Sequence, residues 1–284
     1  MIALWNNCAA AATQRVAATG EPDLMTQWPL AGLGLLLLGL VADVYLLLRW
    51  RQRRTVSAKP WGLSALLAAV GICVAVFLSV GIIGLVLCLR LTATLILLAS
   101  TEVLLLAVLL FCLRLENISW QEAFGLHESS LTHALLMGAA FFLAVQPPLL
   151  ALATLRDWFC HLFSIKITVQ DLVLQLLNAD SRPLMAVVIV FAVVVAPLCE
   201  ETFFRGLAYP AIKQRWGAAV ALTITSVLFA VIHFHLPSFP LLLALAVALA
   251  LAYEYTGSLL TPITMHALFN LLNVVAILLY RANP

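Results

Sequence analysis

A chain of 284 residues that is 64% hydrophobic and only 10% charged, with a mean hydropathy of +1.09, lies well above the apolar share of about 45 to 50% found in soluble domains. A soluble globule is excluded and a polytopic membrane protein indicated. The net charge of +2, with no basic tail, gives no reason to expect a nucleic-acid partner, and six cysteines without CxxC spacing give none to expect a disulfide framework.

Residues 1–27 carry only Arg15, Glu21 and Asp23 as charges and lack a signal-peptide pattern, so they read as an N-terminal arm. A first span is expected from about Trp28 to Leu48. It ends in Arg49-Trp50-Arg51-Gln52-Arg53-Arg54 with Lys59 close behind, and the positive-inside rule puts that loop in the cytoplasm. The stretch Gly62 to Leu113 holds only Arg90 and Glu102 as charges, enough apolar length for two spans turning near Arg90. Ser119-Trp120-Gln121-Glu122 then has the pattern of a capping box at the start of a short surface helix. A fourth span, from about Leu131 to Thr154, should kink at Gln146-Pro147-Pro148, where backbone donors are missing. Residues 28–154 thus form a four-span region, and the mixed stretch 155–182 reads as an interfacial linker.

Residues 183–280 hold four more spans: one that could stay helical as far as Ile212, then Ala218 to about His235, Phe239 to Tyr255, and about Leu259 to Tyr280. The expected architecture is all-α, a polytopic membrane helix bundle of about eight transmembrane spans. The expected setting is a multi-pass protein of a bacterial plasma membrane, with the lipid bilayer as a constant partner.

The chemistry concentrates in Cys199-Glu200-Glu201-Thr202-Phe203-Phe204-Arg205-Gly206, where two carboxylates and an arginine fall inside a span. Each charge at bilayer depth costs roughly 2.5 to 3.5 kcal/mol on insertion scales, so the cluster calls for a purpose. Glu201 and Arg205 stand four apart with the acid first, the favourable order for an ion pair, while Glu200 points about 100° away. The bland alternative is an ion-pair knot that locks two helices together. Glu200 lies 16 residues before Trp216, and His233 lies 16 residues after Gly217, so an antiparallel hairpin brings both to one depth. Phe229 shares a helical face with His233; His235 points away and reads as interfacial. His266 and Asn270 are again four apart on one face. His266 reaches the same level as His233 if Gly257 to Leu260 is extended, with Thr261-Pro262 opening the last helix.

A carboxylate of this kind can take a proton from a water that His233 helps to hold, and attack on a carbonyl gives a tetrahedral oxyanion. His266 and Asn270 are side-chain donors suited to that oxyanion.

Glu200-Glu201 with Arg205, Phe229 with His233, and His266 with Asn270 resemble, in order, the EExxxR, FxxxH and HxxxN motifs of the type II CAAX prenyl endopeptidase and bacteriocin-processing (CPBP, or ABI) family. The resemblance covers about residues 183–275. It implies an intramembrane glutamate-type protease with Glu200 as base and His266 plus Asn270 as oxyanion stabilisers. Glu201, Arg205 and Phe229 are then supporting residues. The implied substrate is a peptide or membrane-protein segment near a membrane-associated C-terminus or leader, lipidated in some family members.

No cofactor is expected on this reading. Two alternatives stay open: a zinc-dependent membrane metallopeptidase using Glu200, Glu201, His233 and His266, and a non-enzymatic membrane scaffold or bacteriocin-immunity protein.

Overall fold

The computed structural model describes residues 29–49, 119–126, 129–165 and 182–282, with isolated positions between 56 and 114. Among the described residues there is no strand. The elements are α1 (Pro29–Arg49), the single turn α2 (Trp120–Ala123), α3 (Leu131–Ala144), α4 (Gln146–Leu162), α5 (Arg182–Trp216), α6 (Ala218–Val231), α7 (Phe239–Thr256) and α8 (Leu260–Ala282). Among the described residues five apolar helical stretches are long enough to cross a membrane: Gly32–Arg49, Leu131–Leu162, Arg182–Trp216, Leu236–Thr256 and Leu260–Leu279. The protein is a helical polytopic bundle. The two spans expected between 62 and 113 lie outside the described residues apart from isolated positions, as do Glu102, the arm 1–27 and residues 166–181.

Helix α7 sits at the centre. Leu241, Leu245, Ala246, Leu249, Ala250 and Tyr253 are all buried, while Leu243, Val247 and Leu251 on the other face are half-buried. Lipid tails are as apolar as leucine, so close packing rather than hydrophobic transfer holds such helices together, and the alanines of α7 let neighbouring backbones approach. Around α7 two large clusters form. One joins Ala42 and Leu46 of α1, Met137 and Phe141 of α3, Leu149 and Ala153 of α4, and Met265 of α8. The other joins Trp61, Phe124, Leu207, Ile212, Ala221 and Leu259. At that second end Lys213 binds Glu254 and donates to the Val56 carbonyl (3.0 Å), and the Tyr209 hydroxyl donates to Glu254 (2.9 Å).

Local signals are realised to different degrees. Ser119 Oγ accepts from the Glu122 N–H at 3.2 Å, the expected cap. At Gln146-Pro147-Pro148 the run Leu131–Leu162 is interrupted at the single residue Val145: α3 ends at Ala144 and α4 restarts at Gln146 with the prolines in its first turn. Helix α4 also continues to Leu162, well past Thr154, into the stretch expected to be interfacial. The charges there are neutralised locally, since Arg156 is buried against Asp157 (2.7 Å) and reaches the Pro237 carbonyl (3.4 Å).

Two expectations need correction. Helix α6 stops at Val231, short of His235, because Phe234 takes a left-handed backbone (φ 46°) and the chain turns. Nor does the chain climb in extended form from Gly257 to Leu260. Gly257 closes α7 in the left-handed region (φ 70°), which glycine enters without a Cβ clash, and α8 is already helical at Leu260, so Thr261 is not its cap.

Candidate active site

Helix α5 is not one uniform α-helix. Two widened π stretches, Phe191–Val195 and Thr202–Ala208, flank the short α segment Ala196–Glu201 that carries both acids. Such widened turns recur at functional sites because they re-aim side chains without breaking the rod.

Glu201 and Arg205 have no exposed surface. Glu201 Oε1 accepts from Arg205 Nη1 at 2.9 Å, the expected ion pair, and also from His266 Nδ1 at 2.9 Å. Arg205 Nη2 donates across to the Ala246 carbonyl of α7 at 2.9 Å, which the small Ala246 side chain leaves open. The guanidinium lies over the Phe229 ring, 4.8 Å from its centre. One buried arginine therefore joins α5, α6 and α7, and one buried glutamate joins α5 to α8.

Phe229, itself fully buried, is the hub of the aromatic contacts. Its ring meets Phe204 edge-on at 5.3 Å, His233 at 4.9 Å and His266 at 5.7 Å. The contacts of Phe204 and Arg205 with Phe229 join α5 to α6. His233 lies in the turn beyond α6 rather than on the helix, and its Nδ1 stands 2.7 Å from the Phe229 carbonyl, so that nitrogen carries the hydrogen.

Glu200 faces the other nitrogen of the bridging histidine. Its Oε2 lies 4.0 Å from His266 Nε2 and has no protein hydrogen-bond partner, while its side chain keeps 18% exposure. Glu201 is held by Arg205 and so accepts from Nδ1–H; the remaining imidazole nitrogen is left pointing at Glu200.

The structure thus gathers Glu200, Glu201, Arg205, Phe229, His233 and His266. His266 meets Phe229, one turn short of His233, and still reaches both acids. Of the pair expected to receive an oxyanion, His266 bonds Glu201 through Nδ1, and Asn270 Nδ2 donates to the Ala192 carbonyl at 2.8 Å. Four features were missed from the sequence: the second bond of Glu201, the carbonyl of Ala246, the π stretches and the role of Ala192. Only the π stretches had a readable signal, the prolines in Ala196-Pro197 and Tyr209-Pro210 within an apolar span. His235 binds Ser238 Oγ through Nδ1 at 2.8 Å, in keeping with a structural role. Among the described residues no three His, Cys, Asp or Glu side chains are grouped closely enough to hold a metal ion.

This arrangement falls within a stretch of the chain that has a counterpart among known families. Residues 182–272 match the family described as type II CAAX prenyl endopeptidase Rce1-like. They are similar to an Rce1-like domain. That family is one of CAAX-type endopeptidases, and the matched stretch is set in an integral membrane protein. No curated protein and no solved structure matches the chain.

Proposed function

We propose that the protein is an intramembrane endopeptidase that cleaves a peptide bond near a membrane-associated C-terminus or leader, with Glu200 as the general base. The observation that carries the reading is the 4.0 Å separation between Glu200 Oε2 and His266 Nε2, two acceptors facing each other in a site of low exposure. That distance is too long for a direct hydrogen bond and suits one water donating to both at about 2.8 Å. A water held by two acceptors turns its lone pair away from them, toward an incoming carbonyl. Glu200 takes the proton as the water attacks, then returns it to the leaving amine. Glu201 fixes the imidazole, and Arg205 fixes Glu201. His233, beside the same ring of Phe229, borders the place where the substrate carbonyl enters.

The test uses purified protein in nanodiscs with fluorogenic peptides, one carrying a lipidated C-terminal cysteine and one without it. Glu200→Gln keeps shape but takes no proton, and general-base catalysis is worth roughly 10² to 10⁴-fold, so cleavage should fall at least that far with an unchanged melting temperature. Glu201→Gln should lower both rate and stability. Wild-type cleavage by Glu200→Gln would remove Glu200 as base. Inactivation by a chelator with stoichiometric zinc in the protein would favour the metallopeptidase, and an inert wild type on every peptide would favour the scaffold.

A further inference from the structure

Each π stretch of α5 is followed within two residues by a proline, Pro197 after the first and Pro210 after the second. At the first, the Ala196 N–H bonds the Phe191 carbonyl, five residues back. In that register the donor for the Ala192 carbonyl would be residue 197, which is proline and has no N–H. A carbonyl without a donor is strongly unfavourable inside a membrane, and Ala192 is buried. The missing hydrogen bond comes from another helix: Asn270 Nδ2 of α8 donates to Ala192 O at 2.8 Å.

We infer that Asn270 is a positioning residue, which pins the widened turn at Phe191–Val195 and so fixes the rotation of the segment that carries Glu200 and Glu201. A π turn holds one extra residue. Relaxing it to plain α would rotate all that follows by about 100° and displace it by about 1.5 Å relative to what precedes it. Glu200 would then leave His266 Nε2. Asn270 and His266 stand one turn apart on α8, so a single helix supplies both the pin and the imidazole that the pin keeps opposite Glu200. Calling this positioning rather than catalysis rests on the hydrolytic reading above; the pin itself does not.

The experiment compares wild type, Asn270→Ala, Pro197→Ala and the double variant of the full chain in nanodiscs, by hydrogen-exchange mass spectrometry without substrate and by peptide cleavage. Asn270→Ala should raise exchange at least tenfold in peptides covering 191–198 and lower kcat at least tenfold with little change in KM. Pro197→Ala restores a backbone donor for Ala192, so the double variant should regain protection and most of the lost kcat. Unchanged exchange in Asn270→Ala, or a folded double variant with no recovery of kcat, would overturn the inference and make Asn270 a group that touches substrate. If Pro197→Ala fails to fold, exchange in Asn270→Ala alone decides. If the wild type cleaves nothing, the hydrolytic reading fails while exchange still decides the pin.

Discussion

Arg205 has no exposed surface, yet its guanidinium is met on three sides, by Glu201, by the Ala246 carbonyl and by the face of Phe229. Removing it strands the Glu201 carboxylate with only His266 as partner. Breaking a buried pair in this way typically costs about 3 to 5 kcal/mol. Arg205→Ala should therefore lower folded yield and melting temperature in detergent as well as activity. Arg205→Lys keeps the charge but not the planar fork that bonds Glu201 and Ala246 together, and should recover part of the loss. Wild-type yield and melting temperature in Arg205→Ala, read by intrinsic fluorescence, would mean that the pair contributes nothing to the fold.

The elements are held at a spacing set by small residues. A Cβ on Gly138 of α3 would lie 2.6 Å from Thr264 Cβ and 2.9 Å from the Thr261 carbonyl, so α3 and α8 touch backbone to backbone. Gly138→Ala must push α8 outward, and overpacking of this kind costs roughly 1 to 3 kcal/mol. Because α8 also carries His266, its displacement loosens the bond to Glu201, and activity should fall with stability. Gly34→Ala on α1 is the control. A Cβ there meets nothing within 4 Å, and alanine favours the helix by roughly 1 kcal/mol, so its melting temperature should hold or rise. Equal melting temperatures for Gly138→Ala and the wild type would show that the contact yields freely.

For the whole molecule, the bond from Lys213 to the Val56 carbonyl joins the last turn of α5 to the segment after α1 at one end of the bundle. Val56 and the last turn of α5 therefore stand at one end of the bundle, and the positive-inside rule, applied to the arginines after Leu48, predicts that this end faces the cytoplasm. Cysteines introduced at Arg54 and Gln214 should both react with an impermeant thiol reagent in inside-out vesicles and neither in intact cells. Opposite labelling of the two positions would refute the arrangement.

Spans and ion pairs of near neighbours were legible in the sequence because they are local quantities. Hydropathy summed over about 20 residues finds a span whatever surrounds it, and a spacing of four along a helix brings Glu201 to Arg205 without help from any other helix. The hairpin turning at Gly217 was legible too, since equal counts on either side of a tight turn set its register. The rest needed packing. A carboxylate oxygen can serve two donors, and nothing in the order of residues says that the second donor to Glu201 is His266, 65 positions away. A proline announces an orphaned carbonyl, but only the approach of α8 supplies Asn270 to fill it. Where α6 ends and how far α4 runs depend likewise on Phe234, Arg156 and the connection between α6 and α7. The sequence by itself determined a membrane bundle with the polar groups of its site on three spans. Which atom of each faces which was decided by tertiary structure, because hydrogen bonds are directional over a few ångströms and their partners come from remote parts of the chain.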